Sequence, residues 1–150
     1  MNTMAMTDIE IFTTALRGSF ISALRWEHLD KFWEALHGCC HHGWYIYAVG
    51  EEAPTIKATD QELKTFINEI DKLLRQEHDE DYCGIVYADN LENPSIIKIY
   101  DPNNLGVSCG FSNNPPLPGW ILSTMPPVTL ESIKPPANRQ RWWQKLFHTA

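Results

Sequence analysis

The chain has 150 residues, 43% of them hydrophobic and 21% charged, with a formal net charge of −7. This is enough for one domain with a real core. Acidity of this size repels nucleic acid and anionic membrane, so neither is an expected partner, and no apolar run approaches the ~20 residues of a membrane span.

The first expected helix begins where Thr7 and Glu10 form a capping-box pattern. Ile9, Phe12, Leu16, Phe20, Ala23 and Leu24 then recur at helical spacing. Trp26, Leu29, Trp33 and Leu36 continue the stripe, which predicts one long helix or a pair joined near Arg25. Gly38 is the expected stop, since glycine takes the left-handed conformation at little cost. Residues 44–49, WYIYAV, read as a strand buried on both faces.

Thr59 and Glu62 cap a strongly amphipathic helix over residues 59–76, with Leu63, Phe66, Ile67, Ile70, Leu73 and Leu74 on one face. Residues 83–88 and 95–100 read as two strands of a hairpin. The strand over 44–49, the central helix and the strand over 83–88 together suggest a right-handed crossover. Short strands are expected over 105–111 and 119–123, enclosed by Pro-rich pieces. The class is α+β: an N-terminal helix or helix pair plus one central helix, packed on a small mixed sheet of four or five strands, with a Pro-rich C-terminal segment.

Charge divides the chain unevenly. Residues 1–133 hold all 19 acids and 8 of the 12 Lys and Arg, whereas residues 134–150 hold Lys134, Arg139, Arg141 and Lys145 and no acid. The expected organisation is a single domain over 1–133 and a basic aromatic tail over 134–150. The start, MNTMAMTDIEIF, lacks a basic region and meets Asp8 and Glu10 early, which speaks against a secretory signal. The expected compartment is the cytoplasm, where the four cysteines stay reduced.

Residues 37–44, HGCCHHGW, offer His37, Cys39, Cys40, His41 and His42 as ligands for zinc or iron. His37 with Cys40, or Cys39 with His42, has ligand spacing. The second spaced pair of a zinc site is missing, so Cys83 or Cys109 would have to complete it. The plainer alternative is a helix end with small thiols tucked inward.

Gly106-Val107-Ser108-Cys109-Gly110 matches the nucleophile-elbow pattern, but the Pro-rich sequence after it does not open the helix that motif needs. Cys109 remains a candidate nucleophile. Asp101, Asn103 and Asn104 form a turn of oxygen donors and, with Cys109 and Trp120, a candidate ligand loop, although turn chemistry explains the first three equally well.

In the tail, Trp143, Leu146 and Phe147 would share a helical face flanked by Trp142. Arg139, Arg141, Trp142, Trp143 and Lys145 are therefore candidate partner-binding residues. The alternative is that the tail folds back on the acidic body. The leading expectation is a small acidic accessory protein that binds a protein partner, without catalysis and without a cofactor. Its rivals are a metal-binding or thiol-redox protein centred on residues 37–42, and a small cysteine-dependent enzyme.

Overall fold

The computed structural model describes residues 6–39, 42–104, 117–130 and 137–147. Helix α1 (Asp8–Leu16) starts on Thr7, whose side chain accepts from the Glu10 amide. It stops well short of the expected length. Phe20, Ala23 and Leu24 lie outside any helix, and Ile21–Ser22 forms a short edge strand, β1. Helix α2 (Trp26–Gly38) then begins after Arg25. Apolar spacing alone cannot register that residues 21–24 hydrogen-bond to a strand some 60 positions later: the Ala23 amide donates to Val86 O at 2.8 Å, and the Cys83 amide to Leu24 O at 2.8 Å. Gly38 is the last residue of α2 and lacks a positive φ; the left-handed turn falls instead at Gly43, φ +80°.

Strand β2 (Tyr45–Ala48) is buried throughout. Helix α3 (Asp60–Glu77) carries both halves of its capping box: the Glu62 amide donates to Thr59 Oγ1 at 3.1 Å, and the Thr59 amide to Glu62 Oε1 at 2.9 Å. That cap contributes about 1 kcal/mol. Strands β3 (Val86–Ala88) and β4 (Ile96–Ile99) form the expected hairpin. Its turn is fixed by side chains: Asp89 accepts from the Ser95 and Ile96 amides, and Asn90 from those of Glu92 and Asn93. A 3-10 turn (Pro102–Asn104) precedes β5 (Trp120–Ser123), and helix α4 (Ala137–Phe147) closes the described chain. The strand expected over 105–111 lies outside the described residues.

The class is α+β, with a five-stranded sheet in the order β1-β3-β4-β5-β2. Every ladder is antiparallel. The sheet is therefore not mixed, and the expected crossover does not form: β2 is an edge strand and runs opposite to β3, three ladders away. The strands that fill the gap are β4 and β5, which lie later in the chain than either.

Side chains alternate across the sheet. Ile46, Ala48, Val86, Ala88, Ile97, Ile99, Trp120 and Leu122 point to the main core, under α2 and α3, with Trp142, Trp143 and Leu146 of α4 packed at its margin. Tyr47, Val49, Ile96 and Ile121 point the other way and meet Phe12 of α1, Phe20, Met125, Val128 and Leu130. The larger core holds the three longer helices. Among the described residues the smaller one covers only part of the opposite face, and Ser22, Tyr87 and Lys98 on its β1–β3–β4 side are only half-buried.

Candidate functional site

Residues 37–44 form the turn between α2 and β2. His37 is half-buried in the last helical turn, and Cys39 caps the helix with its amide bonded back to Leu36 O. The Cys39 thiol lies 3.7 Å from Asn93 Oδ1, and the buried Trp44 indole donates to Cys39 O at 3.1 Å. His42 is exposed. Cys40 and His41 lie outside the described residues, as does Cys109. Among the described residues no group of three or more His, Cys, Asp or Glu converges as a metal site would require.

Cys83 is fully buried, and burial pushes its thiol pKa up. Thiolate is the reactive form, so the two described cysteines should differ sharply. In a Cys40→Ser, Cys109→Ser background, an aromatic disulfide reagent at neutral pH should label Cys39 in the native protein. Cys83 should react only on adding denaturant. Equal native rates for both would contradict the burial of Cys83.

The turn at 101–104 and the tail meet. Arg139 of α4 is 7% exposed and faces two carboxylates. Its Nε donates to Asp101 Oδ2 at 2.7 Å and its Nη2 to Asp101 Oδ1 at 3.0 Å; Nη1 and Nη2 reach Glu77 at 2.9 and 2.8 Å. Asn103 ties in through its side-chain amide to Glu77 and its backbone amide to Asp101. Hydrogen bonding to Arg139 holds the Glu77 carboxyl below the usual range, against burial, which acts in the opposite sense. Asp101 and Asn103 thus serve as anchors for α4, and the Asn104 side chain lies outside the described set.

Trp120 is buried in β5, with its ring 5.5 Å from that of Trp142. Trp142 and Trp143 both meet the Phe66 ring edge-on, at 6.4 and 6.2 Å. Of the five tail residues singled out in the sequence, Arg139, Trp142 and Trp143 face the body of the protein, and Arg141 and Lys145 face outward.

A second assembly has no counterpart in the sequence reading. Segment 21–26 runs beside segment 78–84. The Trp26 indole donates to Glu80 O at 3.0 Å, and Arg75 lies over the Trp26 ring at 5.1 Å. Arg75 also pairs with Asp30 at 2.6 Å and Asp71 at 2.9 Å, and Asp71 accepts from the Trp33 indole at 3.0 Å. Beneath them the buried His78 donates from Nε2 to Cys83 O at 2.9 Å and stands edge-on to Trp26 and Tyr82.

Gly84 takes φ +68° here, and a Cβ on it would meet Tyr82 Cδ2 at 3.3 Å and Leu24 Cδ1 at 4.0 Å. Tyr82 and Leu24 are therefore neighbours across this glycine. This base carries large apolar side chains in water: Leu24 is 55% exposed and Tyr82 50%. The exposed Asp79, Glu80 and Asp81 adjoin them. One sequence signal was available, an acidic run ending directly in Tyr82, but Leu24 was absorbed into a helical stripe that does not form. No protein-family model, curated protein or solved structure matches the chain.

Proposed function

We propose that this protein is a small non-catalytic interaction protein, and that its binding face is the edge formed by Leu24 and Tyr82 beside Asp79-Glu80-Asp81. The observation that carries this reading is the pairing of large exposed apolar groups with an acidic run on one braced edge. Isolated exposed apolar residues need no explanation, and Ile56 is one such. Grouped ones rimmed by charge mark contact surfaces. Two further features support it. β1 is an edge strand, and its outer side is the place where a partner strand could add. Arg75, Trp26 and His78 tie the base of the face to its neighbours, and an edge ordered in advance costs less entropy on binding.

The partner expected from this chemistry is a protein segment that alternates basic and apolar side chains. The tail is the weaker surface, because Arg139 is engaged by Asp101 and Glu77 and the tryptophans lie against Phe66. The test is affinity capture with wild type and with Leu24→Glu, Tyr82→Ser, a surface double variant expected to fold. A Lys/Arg-rich partner retained by wild type, lost by the variant and weakened by salt supports the reading. Identical captured sets from both proteins would refute it.

A further inference from the structure

One row of directly opposed residues crosses the whole sheet: Ser22, Tyr87, Lys98, Ile121 and Tyr47. Directly opposed residues share a face. At the β2 end of this row, Tyr47 and Ile121 are fully buried in the smaller core, and the Tyr47 hydroxyl accepts from the Leu130 amide at 2.7 Å. At the β1 end the row turns polar and is only half-buried.

Lys98 sits at the junction. Its ammonium lies 3.9 Å from the centroid of Phe20, two residues before Ser22, so the side chain reaches from β4 across β3 toward β1. Among the described residues Lys98 forms no ion pair, although 19 carboxylate side chains are present in the sequence. Burial alone acts on its amine, and it lowers the pKa. The Phe20 ring compensates part of this desolvation.

Ser22 and Tyr87 follow it in the same row. The Ser22 Oγ is buried with no hydrogen-bond partner among the described residues. Tyr87, which shares this face, stands with its ring edge-on to that of Tyr100, 5.7 Å away, and its hydroxyl is bonded to no protein group among the described residues. Buried polar atoms in native proteins are nearly always satisfied, and an exception calls for an explanation. One ammonium, one serine hydroxyl and one phenol in one row on one side of a sheet, with the Phe20 ring beside the ammonium, match the donor set for a single negative charge.

We infer that the open half of this sheet face is a binding site for a carboxylate borne on an apolar or aromatic group, with Lys98 as the charge partner and Ser22 and Tyr87 as hydrogen-bond donors. The carboxylate belongs either to a small organic acid or to the C-terminus of a peptide, and the donor set is the same for both. This site lies on the opposite face of the sheet from the main core and stands independently of the edge surface proposed above.

The test is a titration of the full chain with benzoate, with hippurate and with inorganic phosphate, followed by the NMR signal of the Lys98 ε-methylene. Saturable binding of benzoate or hippurate, with phosphate inert, is the expected result. Hippurate binding more tightly points to a peptide terminus, and benzoate binding more tightly to a free acid. Lys98→Met should weaken binding about tenfold or more, while Lys57→Met should leave it unchanged. Lys98→Met keeps the length and apolar stem of the side chain, and its fold is checked by the far-ultraviolet spectrum. Tyr87→Phe, which keeps the ring, serves as the second variant and should weaken binding by a smaller factor. No saturation up to about 10 mM, or equal affinity in wild type and Lys98→Met, overturns the inference.

Discussion

Arg139→Met will lower the unfolding free energy by about 3–5 kcal/mol, a large share of the total for a domain of this size. The two ends of this network behave differently. Asp101 is buried, and after the substitution its carboxylate faces Glu77 with no cation between them. Glu77 is more open and recovers part of its hydration. The loss therefore comes chiefly from the stranded Asp101 charge. The melting temperature should fall by about 10 °C.

Arg139→Lys should fall between, because a point ammonium cannot bond both carboxylates in the forked geometry that Arg139 adopts. Arg141→Ala, at the exposed position two residues on, should change stability by no more than about 0.5 kcal/mol. An Arg139→Met loss below about 1 kcal/mol would show that the network carries no net stability.

The same network predicts a pH signature. Arg139 holds the folded pKa of Glu77 below its unfolded value of about 4.3. The folded state therefore binds fewer protons than the unfolded state in the acid range, and stability rises with pH there. The Glu77 contribution is fully present above the unfolded pKa, and it disappears as pH falls from about 5 through the depressed folded value. Denaturant titrations between pH 3 and pH 6 should show this slope in wild type, and Arg139→Met should be flatter. Parallel curves would remove Glu77 from the account.

How much of this could be read in the sequence depends on where each partner sits in the chain. Helix α3 was legible because its signals are local: Thr59 and Glu62 are three residues apart, and the apolar face repeats within one element. Strands β4 and β5 were legible from apolar runs, and the β3–β4 hairpin from its short turn. Strand β1 was not, because two residues carry no alternation and Ile21 and Leu24 fit a helical stripe equally well.

Sheet order was illegible for a similar reason. Nothing near residues 44–49 signals that their neighbour is β5, more than 70 positions later. At the tail, the residue types were read as cationic and aromatic. That Arg139 meets acids 38 and 62 positions earlier is information no local pattern holds. The candidate edge at Leu24 and Tyr82, and the Lys98 row, were missed because both are assembled by strand pairing across the sheet.

The packing of α4 supplies the second large expected effect. Phe66→Ala removes a fully buried ring from the middle of α3 and should cost about 3–5 kcal/mol, through lost transfer energy and the cavity left behind. This ring is also the seat of α4, since Trp142 and Trp143 both meet it edge-on. Trp142→Ala should cost less, about 2–3 kcal/mol, because Trp142 is only half-buried and keeps contact with Trp120 on its other side.

The two losses should not add. Once Phe66 is gone, part of what Trp142 contributes has already been removed, so the double variant should be less damaged than the sum by about 1 kcal/mol. Arg139 anchors α4 independently of Phe66, so helix docking should loosen in Phe66→Ala without being lost. Trypsin provides the second readout, because Arg141 and Lys145 are exposed on α4. Cleavage there should speed up in Phe66→Ala under conditions where the rest of the domain resists, as expected when one element opens locally. Strict additivity, together with unchanged cleavage, would mean that Phe66 stabilises only the sheet side of α3 and that α4 is held by Arg139 alone.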